Sequence, residues 1–157
     1  MDSTPKLNEH NKQEYPPMHT AEHLLNALMV KNFGCERSRN AHIERKKSKI
    51  SYILASCPTD EQVVWIADEM NRLIQRAMPV TYEFVTLEHL PEGVMPDRLP
   101  DDVSEAIRLV RIGDYDVCPC IGLHVENTRE IGRFVLLGTN WDEEKHSFRI
   151  RFKLAAE

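Results

Sequence analysis

No apolar run in this chain approaches the ~20 residues that a membrane-spanning helix needs, so a transmembrane protein is excluded. The opening stretch, MDSTPKLNEHNKQEYPP, has no apolar core and does not form a secretory signal. Glycine is scarce at six residues, and no Gly-rich loop of the kind that cradles phosphates is present, so ATP use is not expected. There is no internal repeat and no low-complexity linker. Positive charge is in deficit: the net charge is −5 and the pI about 5.8. That excludes a generic nucleic-acid binder while leaving room for a local basic patch. The four cysteines are Cys35, Cys57, Cys118 and Cys120. Without an export signal the expected compartment is the cytoplasm, where they are free thiols or metal ligands and not a disulfide framework.

What is present is one domain's worth of chain. The 157 residues are 41% hydrophobic and 29% charged, enough for a packed core and too apolar for disorder. Residues 1–17 read as a flexible leader and 18–157 as a single domain. A helix is expected from near Met18, introduced by Pro16 and Pro17, with Ala21, Leu24, Leu25 and Leu28 on one face and Gly34 as its stop. Two strands follow, with a turn near Lys47. Thr59 and Gln62 stand in capping-box positions for a second helix. Its apolar stripe is Val63, Ile66, Ala67, Met70, Leu73, Ile74 and Ala77, and Pro79 ends it. VTYEFVTL (80–87) reads as a strand, the Pro-rich 88–102 stretch as a loop, and residues 106–112 as another strand. The C-terminal residues read as a hairpin turning at Asp142–Lys145. The expected class is α+β, a two-layer sandwich of an antiparallel sheet with two main helices packed on it.

Two residue groups carry the chemistry. His19 and His23 are four apart, so on a helix they lie only about 40° apart and one turn above each other, a spacing that binds one metal ion. By wheel arithmetic they face away from the leucine stripe, outward or into a cleft; the alternative is two histidines on a solvated face. About a hundred residues later, Cys120 and His124 enclose Gly122, which can turn both side chains toward one centre; the alternative is a buried thiol and a strand histidine. Together the pairs supply three imidazoles and a thiolate, a full ligand set for one zinc. His19-x-x-Glu22-His23 also matches the inverted-zincin metallopeptidase pattern, in which Glu22 is the general base. Between Glu36 and Lys49 there are six basic residues (Arg37, Arg39, Arg45, Lys46, Lys47, Lys49) against two acidic ones, a phosphate-contact patch or a solvated hairpin. Arg149, Arg151 and Lys153 share one face of the last strand.

HTAEHLL, the Cys-x-x-x-His block and HVENTREIGRF resemble the editing domain of alanyl-tRNA synthetase, and more closely its free-standing AlaX-type trans-editing relatives. The resemblance covers about residues 18–154. It implies hydrolysis of Ser- or Gly-tRNA(Ala) at the ester to the terminal adenosine, with Zn2+ held by His19, His23, Cys120 and His124, and the tRNA acceptor end as partner. Thr20, beside His19, is then a candidate for sensing a small polar amino acid. By wheel arithmetic Glu22 stands about 60–100° from the two histidines, which allows but does not require contact with a bound water. On the editing reading the two basic strips, if they flank the zinc cleft, guide the acceptor stem by shape and phosphate. The family block Cys-Gly-Gly-Thr-His reads Cys-Ile-Gly-Leu-His here, with Ile121 for a glycine and Leu123 for a threonine. A non-catalytic, zinc-stabilised tRNA-binding module is therefore the second reading.

Overall fold

The structure is a computed structural model that describes residues 15–86 and 107–156. The element order is α1 (Pro16–Phe33), β1 (Asn40–His42), β2 (Ser48–Ile53), α2 (Asp60–Gln75), β3 (Val80–Val85), β4 (Ile107–Ile112), β5 (Asp116–Pro119), a 3-10 turn (Thr128–Ile131), β6 (Arg133–Asp142) and β7 (Ser147–Ala155). The fold is α+β and every strand pairing is antiparallel, but the strands divide into two sheets, β1-β2-β7-β6 and β3-β4-β5. The 88–102 loop and most of the 1–17 leader lie outside the described residues. No helix among the described residues is long and apolar enough to cross a membrane.

Both helices begin and end for local reasons. Pro16 and Pro17 occupy the first helical positions of α1, where an amide would have no partner anyway, so the helix starts two residues earlier than expected. Gly34 closes it at φ 67°, a left-handed cap that suits glycine. At α2 the capping box is complete: the Thr59 hydroxyl accepts from the Gln62 amide at 3.1 Å, and the Thr59 amide donates to the Gln62 side chain at 2.8 Å. Helix α2 ends at Gln75, leaving Ala77 exposed at φ 57° and outside the stripe.

Helix α1 departs most from expectation. Met18, Thr20, Ala21, His23, Leu24, Leu25, Asn26, Ala27, Leu28 and Met29 are all buried, so the helix is covered around nearly its whole girth. Its apolar residues share one core cluster with Ile50, Tyr52, Phe148, Ile150 and Phe152 of the larger sheet, and it packs against α2, the 3-10 turn, β5 and the 120–125 segment. Helix α2 buries one stripe, and Asn71 ties it to β6 by donating to the Phe134 carbonyl at 2.9 Å and accepting from its amide at 2.8 Å.

A buried polar node anchors α1 to both its neighbours. The Asn26 side-chain oxygen accepts from the Tyr52 hydroxyl at 2.8 Å and from the Ser38 amide at 3.1 Å. Asn26→Ala should therefore cost about 2–4 kcal/mol, because it strands two buried donors, each worth roughly 1–3 kcal/mol when left unpaired. Tyr52→Phe should cost only about 1 kcal/mol. Urea denaturation of the two variants checks the order, and equal losses would contradict it.

Candidate metal centre

Four side chains from two distant segments converge beside the first turns of α1. The ligand atoms of His19, His23, Cys120 and His124 all lie within 4.8 Å of one another, a grouping that could hold a metal ion. The His19 and His124 rings stack at 4.3 Å, and the His23 ring stands edge-on to both, at 5.1 and 4.5 Å. The His19 Nε2 atom is 3.6 Å from Cys120 Sγ. Cys118 is outside the cluster; it sits on β5 opposite Val110.

The hydrogen bonds around the rings fix which nitrogens face inward. His19 Nδ1 is 3.2 Å from the Leu123 carbonyl, which can only accept, so Nδ1 carries the proton and Nε2 keeps its lone pair toward Cys120. His124 Nδ1 is 2.9 Å from the Thr20 hydroxyl, which also accepts the Val125 amide at 3.2 Å. His23 Nδ1 and His124 Nε2 are buried and make no hydrogen bond. Buried polar atoms rarely stay unpaired, and two of them inside a His3Cys cluster are what metal ligands look like.

Electrostatics keep the imidazoles neutral. Burial pushes His124 down to about 3, with the charges of His19 and Arg108 adding to the effect. Burial also holds His23 well below its ordinary value, followed by His124, Arg37, His19 and Arg108. Neutral imidazoles are the form that donates a lone pair. The histidine face, expected to look outward or into a cleft, lies against the 120–125 segment, which buries His23 and leaves His19 partly exposed.

The strand that carries Arg108 holds the cysteine turn in place, a role the sequence reading did not assign. The Cys120 amide donates to the Arg108 carbonyl at 3.1 Å. Arg108 Nε donates to the Cys120 carbonyl at 2.8 Å, and its Nη2 donates to the Gly122 carbonyl. The guanidinium carbon lies 4.4 Å over the Tyr82 ring, which is itself 6.4 Å from that of His124. The Ile107-Arg-Leu-Val-Arg-Ile alternation marks the strand, and its hairpin with β5 aims Arg108 at the turn.

The other candidate residues are scattered. Thr20 is fully buried at the cluster. Glu22 is half-buried outside the four-group cluster, and after burial its charge is the main further cause that raises Tyr52 well above its ordinary value. Arg37 is clamped by Asp116 in a bidentate pair at 2.9 and 3.2 Å, close enough to His23 to act on its titration. Arg45 lies 4.3 Å over the Tyr15 ring. Arg39, Lys46, Lys47 and Lys49 are exposed. Arg149, Arg151 and Lys153 do not flank the cluster. Their neighbours Phe148, Ile150 and Phe152 turn inward to the core, so alternation sends the three cations to the opposite face of the sheet.

If the cluster binds metal, Cys120→Ala should strip it while Cys118→Ala keeps it, as read by metal content of the purified variants. Loss of metal from Cys118→Ala instead would redraw the ligand set.

Residues 107–151 match the family described as the threonyl and alanyl tRNA synthetase second additional domain. The chain is 33% identical over 138 residues to the alanyl-tRNA editing protein AlaX-L of Pyrococcus horikoshii, covering 86% of this chain and 32% of that protein. It is 28% identical over 148 residues to a putative alanyl-tRNA editing protein alaX of Saccharomyces cerevisiae, covering 83% and 32%. It is 29% identical over 133 residues to the alanine–tRNA ligase of Petrotoga mobilis, covering 84% and 15%. The chain thus spans about a third of the length of these editing proteins (32% of each) and less of the ligase. With its two helices, antiparallel sheets and matching sequence, the chain belongs to the alanyl-tRNA synthetase editing-domain family.

Proposed function

We propose that this chain is a zinc-dependent hydrolase that acts in trans on mischarged tRNA(Ala), cleaving the ester between serine or glycine and the terminal adenosine. The observation that carries the reading is the convergence of three imidazoles and a thiol, two of the nitrogens buried without hydrogen bonds. Thiolate and imidazole donors in a group of four suit Zn2+. When bound, zinc polarises a carbonyl oxygen and lowers the pKa of a water to ~7, which is ample for an already activated ester.

The remaining work belongs to the chain itself. His19, His23, Cys120 and His124 would hold the ion. When the His124 Nδ1–H and the Val125 amide both donate to Thr20 Oγ1, the Thr20 hydroxyl hydrogen is left to donate to a bound amino acid. Burial of Thr20 raises the cost of leaving that donor unpaired, which favours a small polar substrate over an apolar one. Glu22 is the acidic group nearest in sequence to the histidines and is proposed to take up a proton released during hydrolysis. Arg39, Arg45, Lys46 and Lys47 would meet phosphates near the acceptor end. The names of the related proteins, alanyl-tRNA editing proteins, support the same substrate class.

A specific observation favours the second reading, a non-catalytic zinc-stabilised tRNA-binding module. Ile121 and Leu123, which stand in the ligand turn, are 71% and 60% exposed, and four protein ligands on one zinc make a closed site. The metallopeptidase pattern has less support, because it leaves Cys120 and His124 without a role although both lie in the cluster.

The deciding assay is release of amino acid from purified Ser-tRNA(Ala) and Gly-tRNA(Ala), with Ala-tRNA(Ala) as control. Serine and glycine should be released and alanine spared, and chelation should stop the reaction. Thr20→Val should lower kcat/KM on the seryl substrate by at least roughly tenfold, because the substrate hydrogen bond, about 1.4 kcal/mol, is lost together with those from His124 and the Val125 amide. Binding of the charged tRNA without release would favour the module.

A further inference from the structure

We propose that the open face of the four-stranded sheet is a docking surface for the phosphate backbone of duplex RNA, separate from the metal-binding cluster. The proposal rests on the RNA-partner part of the reading above and not on its ester chemistry.

Alternation along the strands decides what this face presents. Strand pairing sets two rows across the sheet, Asn40–Ser51–Arg149–Asn140 and His42–Lys49–Arg151–Gly138. Lys153 and Arg133 continue the same face beyond them, opposite Val135 and Ala155. Lys49, Arg133, Arg149, Arg151 and Lys153 are all exposed. Among the described residues none of the five forms an ion pair. Among the described residues paired across that face, Asp142 at its turn end is the only acidic one.

Such an arrangement is costly unless something answers it. Lys49 stands directly opposite Arg151, and like charges in that position destabilise a sheet. Among the described residues no acidic group is paired with these cations, in a protein of net charge −5. Gly138 deepens the arrangement: a Cβ there would collide with the Arg151 guanidinium, so glycine lets that group lie flat across β6. Cations that share one sheet face and pair with no described acidic group are complementary to an extended polyanion.

The polar groups between the cations favour RNA over the other polyanions. Asn40, Ser51, Asn140 and His42 offer hydrogen bonds to phosphate and sugar hydroxyls, as backbone-reading surfaces do. A lipid surface calls for large apolar groups that insert, and an acidic protein partner calls for an apolar interface centre. Those two rows contain neither; Ile53, exposed and opposite Ser147, stands at the turn end of the face beside Asp142. At one end the face runs into a groove of about 530 Å³ between the 34–40 segment and the ends of β2 and β7, lined by Glu36, Arg39, Asn40, Ser51, Ile53 and Ser147 among others.

The test is fluorescence anisotropy with a labelled RNA duplex of about 12 base pairs, carrying no amino acid, over a range of salt. Lys49→Glu with Arg151→Glu should lower affinity at least tenfold near 0.1 M salt and reduce the slope of log K against log salt by about two. A pair with the same charge change on the helical side, Lys31→Glu with Arg76→Glu, should shift affinity by less than twofold. Arg149→Gln with Arg151→Gln is the milder variant should the reversal disturb folding, and its loss should be intermediate. Equal losses from both reversal pairs, or no loss, would overturn the proposal. So would wild-type binding to phosphatidylserine vesicles or polyglutamate as tight as to the duplex. Serine release from Ser-tRNA(Ala) tests the other reading independently: weakened duplex binding with no release keeps this surface and sinks the hydrolase, and the converse does the opposite.

Discussion

Everything near the cluster depends on burying α1 from all sides while two imidazoles stand on it. A helix with a single apolar stripe would leave His19 and His23 wet, free to protonate and indifferent to metal. Here the 120–125 segment closes over them, and loss of water is the first cause that holds both His23 and His124 in the neutral form. The same covering segment brings Cys120 and His124, so desolvation and ligand supply come from one packing event. Asn26, one turn further along α1, makes that packing directional through Tyr52 and Ser38.

Around this centre the protein spends its polar groups on orientation. Thr20 receives a ring nitrogen and a backbone amide; Leu123 receives another ring nitrogen; Arg108 holds two carbonyls of the turn. Each contact fixes a rotation that the ligand atoms alone would leave free, the usual division of labour between groups that touch an ion and groups that aim them. The Arg108 cation is accommodated because carbonyl oxygens and the Tyr82 face take up its charge.

Much of this was legible in the sequence, and what was not has a common cause. The helix stop at Gly34, the Thr59–Gln62 capping box and the C-terminal hairpin rest on interactions within a few residues, so local reading finds them. The His19/His23 and Cys120/His124 pairs were visible as spacings, because helical and turn periodicities are short-range. The division into two sheets, the covering of α1, the bidentate Arg37–Asp116 pair and the aim of Arg108 all depend on which strand lies beside which. Arg37 shows the limit: in sequence it belongs to a basic run, whereas in space it is matched to a carboxylate 79 positions away. The strip 149–153 was correctly placed on one face, but alternation alone does not say which face meets the core.

The separation of the two ligand pairs also has a temporal side. His19 and Cys120 are 101 positions apart. At the usual ~5–20 residues per second of synthesis, about 5–20 s pass between the appearance of the first pair and that of the second. During that interval the N-terminal helix has its imidazoles but neither the cover that dries them nor the thiol that completes the set. A long loop must close before those partners meet, a step that slows folding more than it costs stability. If the full set holds an ion, its capture would be among the last events of maturation, and a loaded centre would mark a chain whose two distant segments have already met.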